Sequence, residues 1–391
     1  MPIDPTDIAI CAGDEGDGAA GVQPAAPPIV QTSLFTYPTF EALLDGLAAE
    51  HRNPVYSRGQ NPTVEVLERK LAALERGEAC KAFASGMAAI SAVMLGLLRA
   101  GDHVLFVNQT YGPALQLAER LRRFGIEHDL LLDTGVDAVA RSLRPNTKLV
   151  WLESPGTMLF RVLDIAAIAE LAREHGALTC IDNSWATPLF QKPLTLGVDV
   201  VVHSATKYIG GHSDVVAGAV VTTAERMEEL FYGAYLLNGG ILGPFDAWLL
   251  LRGLRTLPVR MRQHEADALR VAEFLAGHPA VRRVYHPALS EDRALVERQL
   301  TGCSGLLSFA LVRDDFDSVA RVINGLRRFH IGVSWGGFES LALSPNRGTN
   351  GDALDAQRIP RGLIRLSIGL EGAELLIDDL AAALAPLEPA R

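Results

Sequence analysis

The sequence predicts an α/β protein with a mostly parallel sheet and a second, smaller α/β domain toward the carboxyl end. From about residue 56 to 245, helical patterns alternate with short apolar segments, which is typical of a parallel sheet covered by helices. The Val-rich run 198–202 has no helical period, as expected of an interior strand buried on both faces. A chain of 391 residues is also long enough to form more than one domain.

Composition and pattern divide the chain into three parts. Residues 1–55 are rich in Ala, Pro, Gly and acidic residues and form an extended N-terminal segment, of which we expect about the first 25 residues to be flexible. Residues 56–245 form the large domain, and residues 246–391 form the small domain, reached by a long helix that starts at Pro244. The predicted helices are 40–49, 64–74, 85–98, 113–124 and 166–175, with strands near residues 103, 149, 178, 199 and 217.

Charge and cysteine content limit the classes of partner. The net charge is −10 with a pI near 5.5, which argues against a nucleic-acid partner or an anionic membrane surface. No secretory signal or membrane-spanning segment is apparent. The four cysteines have neither metal-ligand spacing nor a disulfide pattern, so we expect no metal site and a reduced, cytoplasmic location; they are Cys11, Cys80, Cys180 and Cys303.

Lys207 is the first candidate for chemistry. It ends the tetrapeptide Ser204-Ala205-Thr206-Lys207, directly after the predicted strand 198–202. Ligands of open α/β sheets bind at the carboxyl ends of strands, so a lysine there is well placed as a reactive amine. The hydroxyls of Ser204 and Thr206 can bind a phosphate, which suggests pyridoxal 5′-phosphate held as a Schiff base. The same tetrapeptide also fits an ordinary loop.

Asp182 strengthens this interpretation. It ends the strand-like run 178–182, 25 residues before Lys207, so both residues are expected at neighbouring strand ends. A carboxylate there would pair with a protonated pyridine nitrogen and keep the ring an electron sink. The alternative is a helix N-cap.

Two further strand ends carry matching features. Ser85 is a natural N-cap, and the free N–H groups of Gly86 and Met87 would form an anion site at a helix N-terminus, although an ordinary capped helix has the same pattern. Tyr111 follows the predicted strand near 103, where its ring can stack on a flat cofactor or simply pack.

Together these motifs resemble the transsulfuration family of PLP-dependent enzymes of Cys/Met metabolism (fold type I). The resemblance covers roughly residues 30 to 385, with the motifs in the family's order. They are Tyr56-Ser57-Arg58, Asn61-Pro62-Thr63, Ser85-Gly86-Met87, Tyr111, Glu153-Ser154-Pro155, Asp182-Asn183, Ser204 to Lys207 with Gly210, Gly211 and His212, Arg252 to Leu257, Ser334-Trp335-Gly336-Gly337 with Glu339-Ser340, and Arg365 to Gly369.

The resemblance implies a seven-stranded large-domain sheet of the aminotransferase type and a role for each site residue. Lys207 would anchor the cofactor and remove the substrate Cα proton, with Tyr111 stacked on the ring and assisting proton transfer. Arg365 would bind the substrate α-carboxylate beside Ser334 and Trp335, on a strand with one polar face. Tyr56 and Arg58 would reach the active site of a neighbouring subunit, near phosphate and substrate, in a homo-oligomer that is usually a tetramer.

The resemblance is compatible with several different reactions on amino-acid substrates of methionine biosynthesis. Gly156 and Trp335 favour a cystathionine β-lyase, which converts L-cystathionine to homocysteine, pyruvate and ammonia. Gly59 after Arg58 instead favours cystathionine γ-synthase, cystathionine γ-lyase or a methionine γ-lyase-type enzyme. Another C–S lyase, acting on smaller cysteine conjugates, is a further alternative.

Two functions of a different class fit these residues less well. A catalytically silent, PLP-binding regulator would have no need to retain Lys207, Asp182, Tyr111 and Arg365 together. A nucleotide-binding α/β protein is disfavoured because no G-x-G-x-x-G or P-loop pattern is present. The sequence therefore predicts an enzyme.

Overall fold

The computed structural model describes residues 4–10 and 24–387. Cys11 and most of the predicted flexible segment lie outside these ranges. For residues 5–10 that prediction is wrong, since they form helix α1 (Pro5–Ile10), in which Ile8 and Ala9 are buried. Ile8 joins the core of the large domain, and its carbonyl accepts a hydrogen bond of 2.9 Å from the buried Lys70 ammonium.

Helices surround the large domain on both faces, close to the predicted positions. Five of them begin at side chains that accept from backbone N–H groups: Thr39 from Ala42, Asn61 from Thr63, Ser85 from Ala88, Asp164 from Ala167, and Thr223 from Arg226. In chain order the helices are α2 (Phe40–Ala48), α3 (Pro62–Glu75), α4 (Gly86–Leu97), α5 (Gly112–Leu121), α6 (Val136–Ser142), α7 (Ile165–His175), α8 (Thr187–Phe190), α9 (Ala224–Leu230) and α10 (Leu236–Asn238).

The large sheet has seven strands, and the predicted fold class is confirmed. The strands are β1 (Ala79–Phe83), β2 (His103–Val107), β3 (Glu127–Leu131), β4 (Thr147–Glu153), β5 (Leu178–Asp182), β6 (Val200–His203) and β7 (Gly218–Thr222). Their order is β1-β7-β6-β5-β4-β2-β3. Strands β2 to β6 pair in parallel, while β7 runs antiparallel to both β1 and β6.

The central strands are apolar because both of their faces are buried. Val201 of β6 lies in the core on one face of the sheet, and Val200 and Val202 lie in the core on the other. Such strands carry few polar side chains before their carboxyl ends. The polar residues that follow β2, β4, β5 and β6 therefore collect at one edge of the sheet.

The second sheet has five strands in the order β10-β11-β12-β9-β8. Its strands are β8 (Val281–Tyr285), β9 (Leu306–Leu311), β10 (His330–Ile331), β11 (Leu341–Leu343) and β12 (Leu363–Ser367). Except for β10 with β11, the pairs are antiparallel. The accompanying helices are α11 (Pro244–Ala276), α12 (Arg293–Gln299), α13 (Phe316–Gly325), α14 (Gly351–Ala356) and α15 (Ala373–Leu384).

Helix α11 links the two sheets, and its 33 residues continue through Pro258. Its first half packs in the large-domain core through residues such as Leu250 and Leu254, and its second half packs in the small-domain core through Val271 and Leu275. No helix in residues 4–10 and 24–387 is long and apolar enough to cross a membrane.

Candidate active site

Three neighbouring strands end in polar residues at the same edge of the large sheet. Glu153 ends β4 and lies opposite Asp182, which ends β5. Asp182 in turn lies opposite Val202 of β6, two residues before Ser204. The structure thus places Asp182 and the Ser204–Lys207 tetrapeptide on adjacent strand ends, as the sequence predicted.

Lys207 is largely withdrawn from solvent and held by the small domain. Its Nζ donates to Ser334 Oγ at 2.5 Å and lies 5.3 Å from the centroid of the Trp335 ring. Burial and then the nearby Arg365 lower the pKa of Lys207 from 10.5 to about 8, against the opposing charge of Asp182. The neutral amine, which a base or a nucleophile requires, is therefore far more populated near neutral pH than in an ordinary lysine, although the ammonium form still predominates.

Asp182 is fixed by hydrogen bonds from one neighbour. Its Oδ1 accepts from Ser184 N at 3.0 Å and from Ser184 Oγ at 2.6 Å, and that hydroxyl accepts from Ser204 N at 2.6 Å. Burial raises the pKa of Asp182, while the Ser184 bonds and the charges of His203 and Lys207 work against the rise. Sequence reasoning did not identify Ser184, although its position two residues after a strand-end Asp is the local signal for an Asx-type turn.

A small anion cradle lies beside the lysine. Ser85 Oγ caps the N–H of Ala88, so the N–H groups of Gly86 and Met87 remain directed past the first turn of α4. A Cβ added at Gly86 would lie 2.9 Å from Ser204 Oγ. Glycine is therefore required for the close approach of this turn to Ser204, and the cradle combines a hydroxyl with two backbone donors.

Thr206 is arranged differently from the prediction. Its Oγ1 donates to Ala217 O at 3.0 Å and accepts from Ala217 N at 2.9 Å. The hydroxyl proton is therefore committed to the backbone of the strand-entry segment, and Thr206 can donate to an anion only after that bond breaks. Ser204 is the available hydroxyl of the pair.

Arg365 and Ser334 come together beside Lys207. Arg365 lies on β12 and is only 8% exposed, so the expected polar face of this strand is buried. Its guanidinium donates to Ser334 O at 3.1 Å, and burial lowers its pKa to about 10. Within the described residues Arg365 forms no ion pair, which leaves a planar bidentate donor available for a carboxylate.

Tyr111 stands at the end of β2, and its position depends on a residue whose role the sequence did not reveal. Tyr111 N donates to Glu153 Oε2 at 2.7 Å. Burial raises the pKa of Glu153 well above its usual range, and Asp182 adds to the rise. Burial, Asp182 and Glu153 also raise the pKa of the Tyr111 phenol, so its hydroxyl is a proton donor rather than a phenolate. Tyr111 is 45% exposed and so remains accessible to a bound molecule.

Tyr56 and Arg58 are not brought to Lys207 in this protomer. Both side chains are exposed, and in the part of the chain that the structure describes neither forms a hydrogen bond or ion pair. The Arg58 guanidinium carbon lies 5.5 Å from the centroid of the Tyr56 ring. The site that forms within one chain therefore consists of the other predicted residues.

The residues at this edge fit pyridoxal 5′-phosphate. The cradle of Ser204, Gly86 and Met87 has donors for a phosphate and no room for a further side chain at Gly86. An amine with a lowered pKa and a half-buried carboxylate lie on the two adjacent strand ends, which suits an aldehyde and a pyridine nitrogen. No cluster of three or more His, Cys, Asp or Glu suited to a metal occurs in residues 4–10 and 24–387.

Comparison with known proteins agrees with this chemistry. The family model for Cys/Met metabolism PLP-dependent enzymes matches residues 7–385. A cystathionine gamma-lyase of Bacillus subtilis (strain 168) is 40% identical over 379 residues, covering 95% of this chain and 96% of that protein. A cystathionine beta-lyase of the same strain is also 40% identical, over 383 residues that cover 96% and 94%.

A solved structure shows the same architecture. The crystal structure of a cystathionine gamma synthase from Xanthomonas oryzae pv. oryzae, in complex with cystathionine, matches with a TM-score of 0.91 at 38% identity, and the match covers 99% of each chain. Sequence, fold and site chemistry therefore agree, and the chain belongs to the Cys/Met metabolism family of PLP-dependent enzymes, with pyridoxal 5′-phosphate as its cofactor.

Proposed function

We propose that this enzyme is a cystathionine β-lyase, which cleaves L-cystathionine to homocysteine, pyruvate and ammonia by α,β-elimination. Overall identity does not select this activity, because the gamma-lyase and the beta-lyase relatives are equally identical to the chain. The observation that carries the proposal is local. It is the hydrogen bond of the Lys207 amine to Ser334 Oγ together with the proximity of that amine to the Trp335 ring.

Each site residue has a proposed role in holding the cofactor. Lys207 would bind it covalently, and the cradle of Ser204, Gly86 and Met87 would hold its phosphate. Asp182 would face the ring nitrogen, and Tyr111 would cover one face of the ring. When bound, the cofactor supplies an electron sink for the negative charge that develops at the substrate Cα.

The reaction requires one proton to leave Cα and one to reach sulfur. Arg365 would orient the substrate through its α-carboxylate, as a bidentate guanidinium does. Once the substrate amine has displaced Lys207 from its covalent bond, the freed neutral amine would take the Cα proton, and the Cβ–S bond would break as homocysteine leaves. The lysine ammonium or the Tyr111 hydroxyl would return a proton to the departing thiolate. Hydrolysis of the remaining three-carbon unit gives pyruvate and ammonia.

Trp335 supports β- over γ-cleavage because of where it confines the lysine. γ-Chemistry requires a second deprotonation at Cβ, so the amine must travel farther along the substrate. Here the amine is bound by Ser334, and the adjacent Trp335 ring is packed against Tyr208 with the centroids 5.5 Å apart. A rigid indole at this place favours one short proton transfer at Cα.

Gly156, the other β-lyase feature of the sequence, carries less weight in the structure. A Cβ at this position would lie 2.2 Å from Asn108 Nδ2, which itself donates to Glu153 O and Arg161 O. Local packing against Asn108 thus explains this glycine without reference to the substrate. The proposal therefore relies on Trp335.

A γ-acting enzyme is the second candidate. It is favoured by Gly59, which directly follows Arg58, where a β-lyase would have another basic residue to recognise the distal end of cystathionine. The gamma-lyase of Bacillus subtilis and the gamma synthase of Xanthomonas oryzae also bear names of this type. An enzyme of this kind would release 2-oxobutyrate or join cysteine to an activated homoserine.

We further propose that Tyr56 and Arg58 complete the site of a neighbouring subunit. Their backbone is held by Ser57 N, which donates to Ser33 O at 3.0 Å, and by the bridge between Leu34 and Tyr56. A rigid backbone that presents an exposed aromatic ring and a cation suits a surface that meets another molecule. The homo-oligomer, expected to be a tetramer, follows from this role.

Product analysis tests the proposal. The holoenzyme is incubated with L-cystathionine and the keto acid is identified, with Lys207→Ala as the inactive control. Pyruvate with homocysteine is the expected result. 2-Oxobutyrate with cysteine, or turnover only with an activated homoserine plus cysteine, would replace the β-lyase assignment by a γ-acting one. The variant Trp335→Leu is expected to raise the share of 2-oxobutyrate.

A further inference from the structure

A buried ion pair lies away from the cofactor site, between the first strand and the helix before it. Lys81 of β1 and Glu68 of α3 are each 4% exposed, and Lys81 Nζ lies 3.0 Å from Glu68 Oε2. The other carboxylate oxygen of Glu68 accepts from Ala82 N at 2.9 Å. The pair is therefore part of the wall of the domain, and neither charge serves the reaction described above.

The lysine reaches beyond this pair to the segment that carries Tyr56 and Arg58. Its Nζ donates to Gln60 Oε1 at 2.7 Å and to Gly59 O at 3.4 Å. Gln60 extends this hydrogen-bond network, since its Nε2 donates to His51 O at 3.0 Å. One ammonium group thus holds both a side chain and a backbone carbonyl of the same loop.

Two aromatic rings also lie near the ammonium. Lys81 Nζ lies 5.5 Å from the centroid of Phe231 and 5.4 Å from that of Tyr235. A Cβ added at Gly59 would lie 3.3 Å from the Phe231 ring and 3.0 Å from Glu50 Oε1. The loop is therefore packed closely against the same ring that contacts the lysine.

The loop bonded by Lys81 is a turn over residues 56–60. Gly59 N and Gln60 N both donate to Tyr56 O, at 2.8 and 3.2 Å. Lys81 and Gln60 hold the end of this turn, while Ser57 holds its beginning through Ser33 and Thr32. Arg58 lies between these two attachments and Tyr56 directly precedes the first, so the placement of both exposed side chains depends on how the turn is held.

We propose that Lys81, through Gln60 and Gly59, is a positioning residue that acts in trans: it holds the 56–60 turn so that Tyr56 and Arg58 enter the neighbouring subunit's site. This rests on the proposed role of Tyr56 and Arg58 in a shared site. A lysine in the wall of one subunit would then determine cofactor affinity in the next.

The charge of Glu68, the carboxylate partner of Lys81, depends on that lysine. Burial raises the pKa of Glu68, and the charge of Lys81 is the largest influence that opposes the rise. Without the lysine, the buried carboxyl is expected to take up a proton, and the turn would lose its attachment to α3 and β1 together.

The first measurement uses the apo-protein and needs no turnover. Hydrogen exchange of residues 51–60 is compared between the wild type, Lys81→Met and Gln60→Ala. Both variants should exchange the amides of Gly59 and Gln60 at least about 10-fold faster. Lys70→Met is the matched control, because Lys70 is equally buried but donates to Ile8 O in α1. Unchanged exchange in Lys81→Met and Gln60→Ala would overturn the proposal.

The second measurement separates action in trans from action within one subunit. Lys81→Met homo-oligomers are expected to bind pyridoxal 5′-phosphate at least about 10-fold more weakly and to retain at most about a tenth of wild-type keto-acid formation. Hybrid oligomers are then prepared from differently tagged Lys81→Met and Lys207→Ala subunits. In a pair that shares sites, the site with an intact Lys207 receives its Tyr56 and Arg58 from the subunit with an intact Lys81.

The two modes of action predict different hybrid activities. Action in trans restores one of the two sites, so the hybrid pair should reach about half of wild-type activity, several-fold above the Lys81→Met homo-oligomer. A hybrid less active than that homo-oligomer would mean action on its own site and would overturn the proposal. If Lys81→Met does not fold, hybrid oligomers of Gln60→Ala subunits and Lys207→Ala subunits repeat the test.

This design distinguishes failure of the inference from failure of the proposed function. Keto acid of either kind is counted, so a γ-acting enzyme gives the same pattern. A wild-type protein that forms no keto acid at all would refute the proposed function. An active wild type whose hybrids show no restoration would refute only the role of Lys81.

Discussion

Lys81 is buried and Lys207 is partly buried, and the groups around their two ammonium groups differ. Lys81 has a carboxylate, an amide oxygen, a carbonyl and two aromatic faces around its ammonium group. Lys207 has one hydroxyl, an indole and a repelling arginine, with Asp182 as the opposing charge. A satisfied ammonium is a structural cation, whereas a poorly compensated one is prepared to lose its proton.

The largest expected difference between the two lysines is in catalysis. Lys207→Ala should reduce keto-acid formation by at least about 10³-fold, because it removes both the covalent attachment and the base. Lys81→Met should leave activity measurable, since it alters only the presentation of other residues. Steady-state rates at saturating pyridoxal 5′-phosphate check this. A comparable loss of activity in both variants would contradict the distinction between a catalytic Lys207 and a structural Lys81.

The second difference concerns the free energy of unfolding. Lys81→Met leaves Glu68 buried without its partner and should cost about 3 kcal/mol. Lys207→Met removes a poorly compensated charge and should leave the unfolding free energy unchanged or raise it. Urea midpoints of the apo-proteins measure both. Glu68→Gln added to Lys81→Met should recover part of the loss; an additive further loss would contradict the ion-pair argument.

A smaller effect on kcat/KM is expected for substitution of Arg365, the positive charge near Lys207. Arg365→Gln should raise KM and lower kcat/KM by roughly 10- to 100-fold, because a charge-assisted bond to the substrate carboxylate contributes about 1.5–3 kcal/mol. Arg365→Lys should recover only part of this, since an ammonium lacks the planar fork. The exposed Arg361→Lys serves as the control and should be neutral. A loss in kcat alone would argue against carboxylate binding.

The smallest effect is a shift on the pH axis. In the apo-protein, reductive methylation of Lys207 should increase with pH with a midpoint at about pH 8, because burial and Arg365 lower its pKa to about 8 and only the neutral amine reacts. Arg365→Gln removes the repulsion, so the midpoint should move to higher pH. Mass spectrometry of the Lys207 peptide measures the extent. A midpoint near the ordinary value of 10.5 in the wild type would contradict the lowered pKa.

The strand-end residues could be predicted from sequence because their signals are local. An apolar run followed by Asp182 or by Ser204–Lys207 marks a buried strand and its end, and parallel strands place such ends at one edge. Ser85 and Gly86 mark a helix start in the same way. These patterns depend on neighbours within a few positions of the chain.

Other features required the packed structure because they join distant segments. The partner of the Thr206 hydroxyl is Ala217, and the lysine that holds the 56–60 turn lies on β1, where the sequence shows only a short strand-like stretch. The helix at residues 5–10 is anchored because Ile8 joins the same core cluster as Leu67 and Leu71 of α3. No periodicity in residues 1–25 indicates that contact.

Lys207 illustrates the division between the two levels. Its place after an apolar strand, with Asp182 25 residues before it, already indicated a reactive amine and a ring-binding carboxylate. Its lowered pKa and its bond to Ser334 arise only when the small domain brings Ser334, Trp335 and Arg365 against it, more than a hundred residues along the chain. Local pattern determines which group stands at a strand end, whereas burial and charge around that group depend on long-range packing.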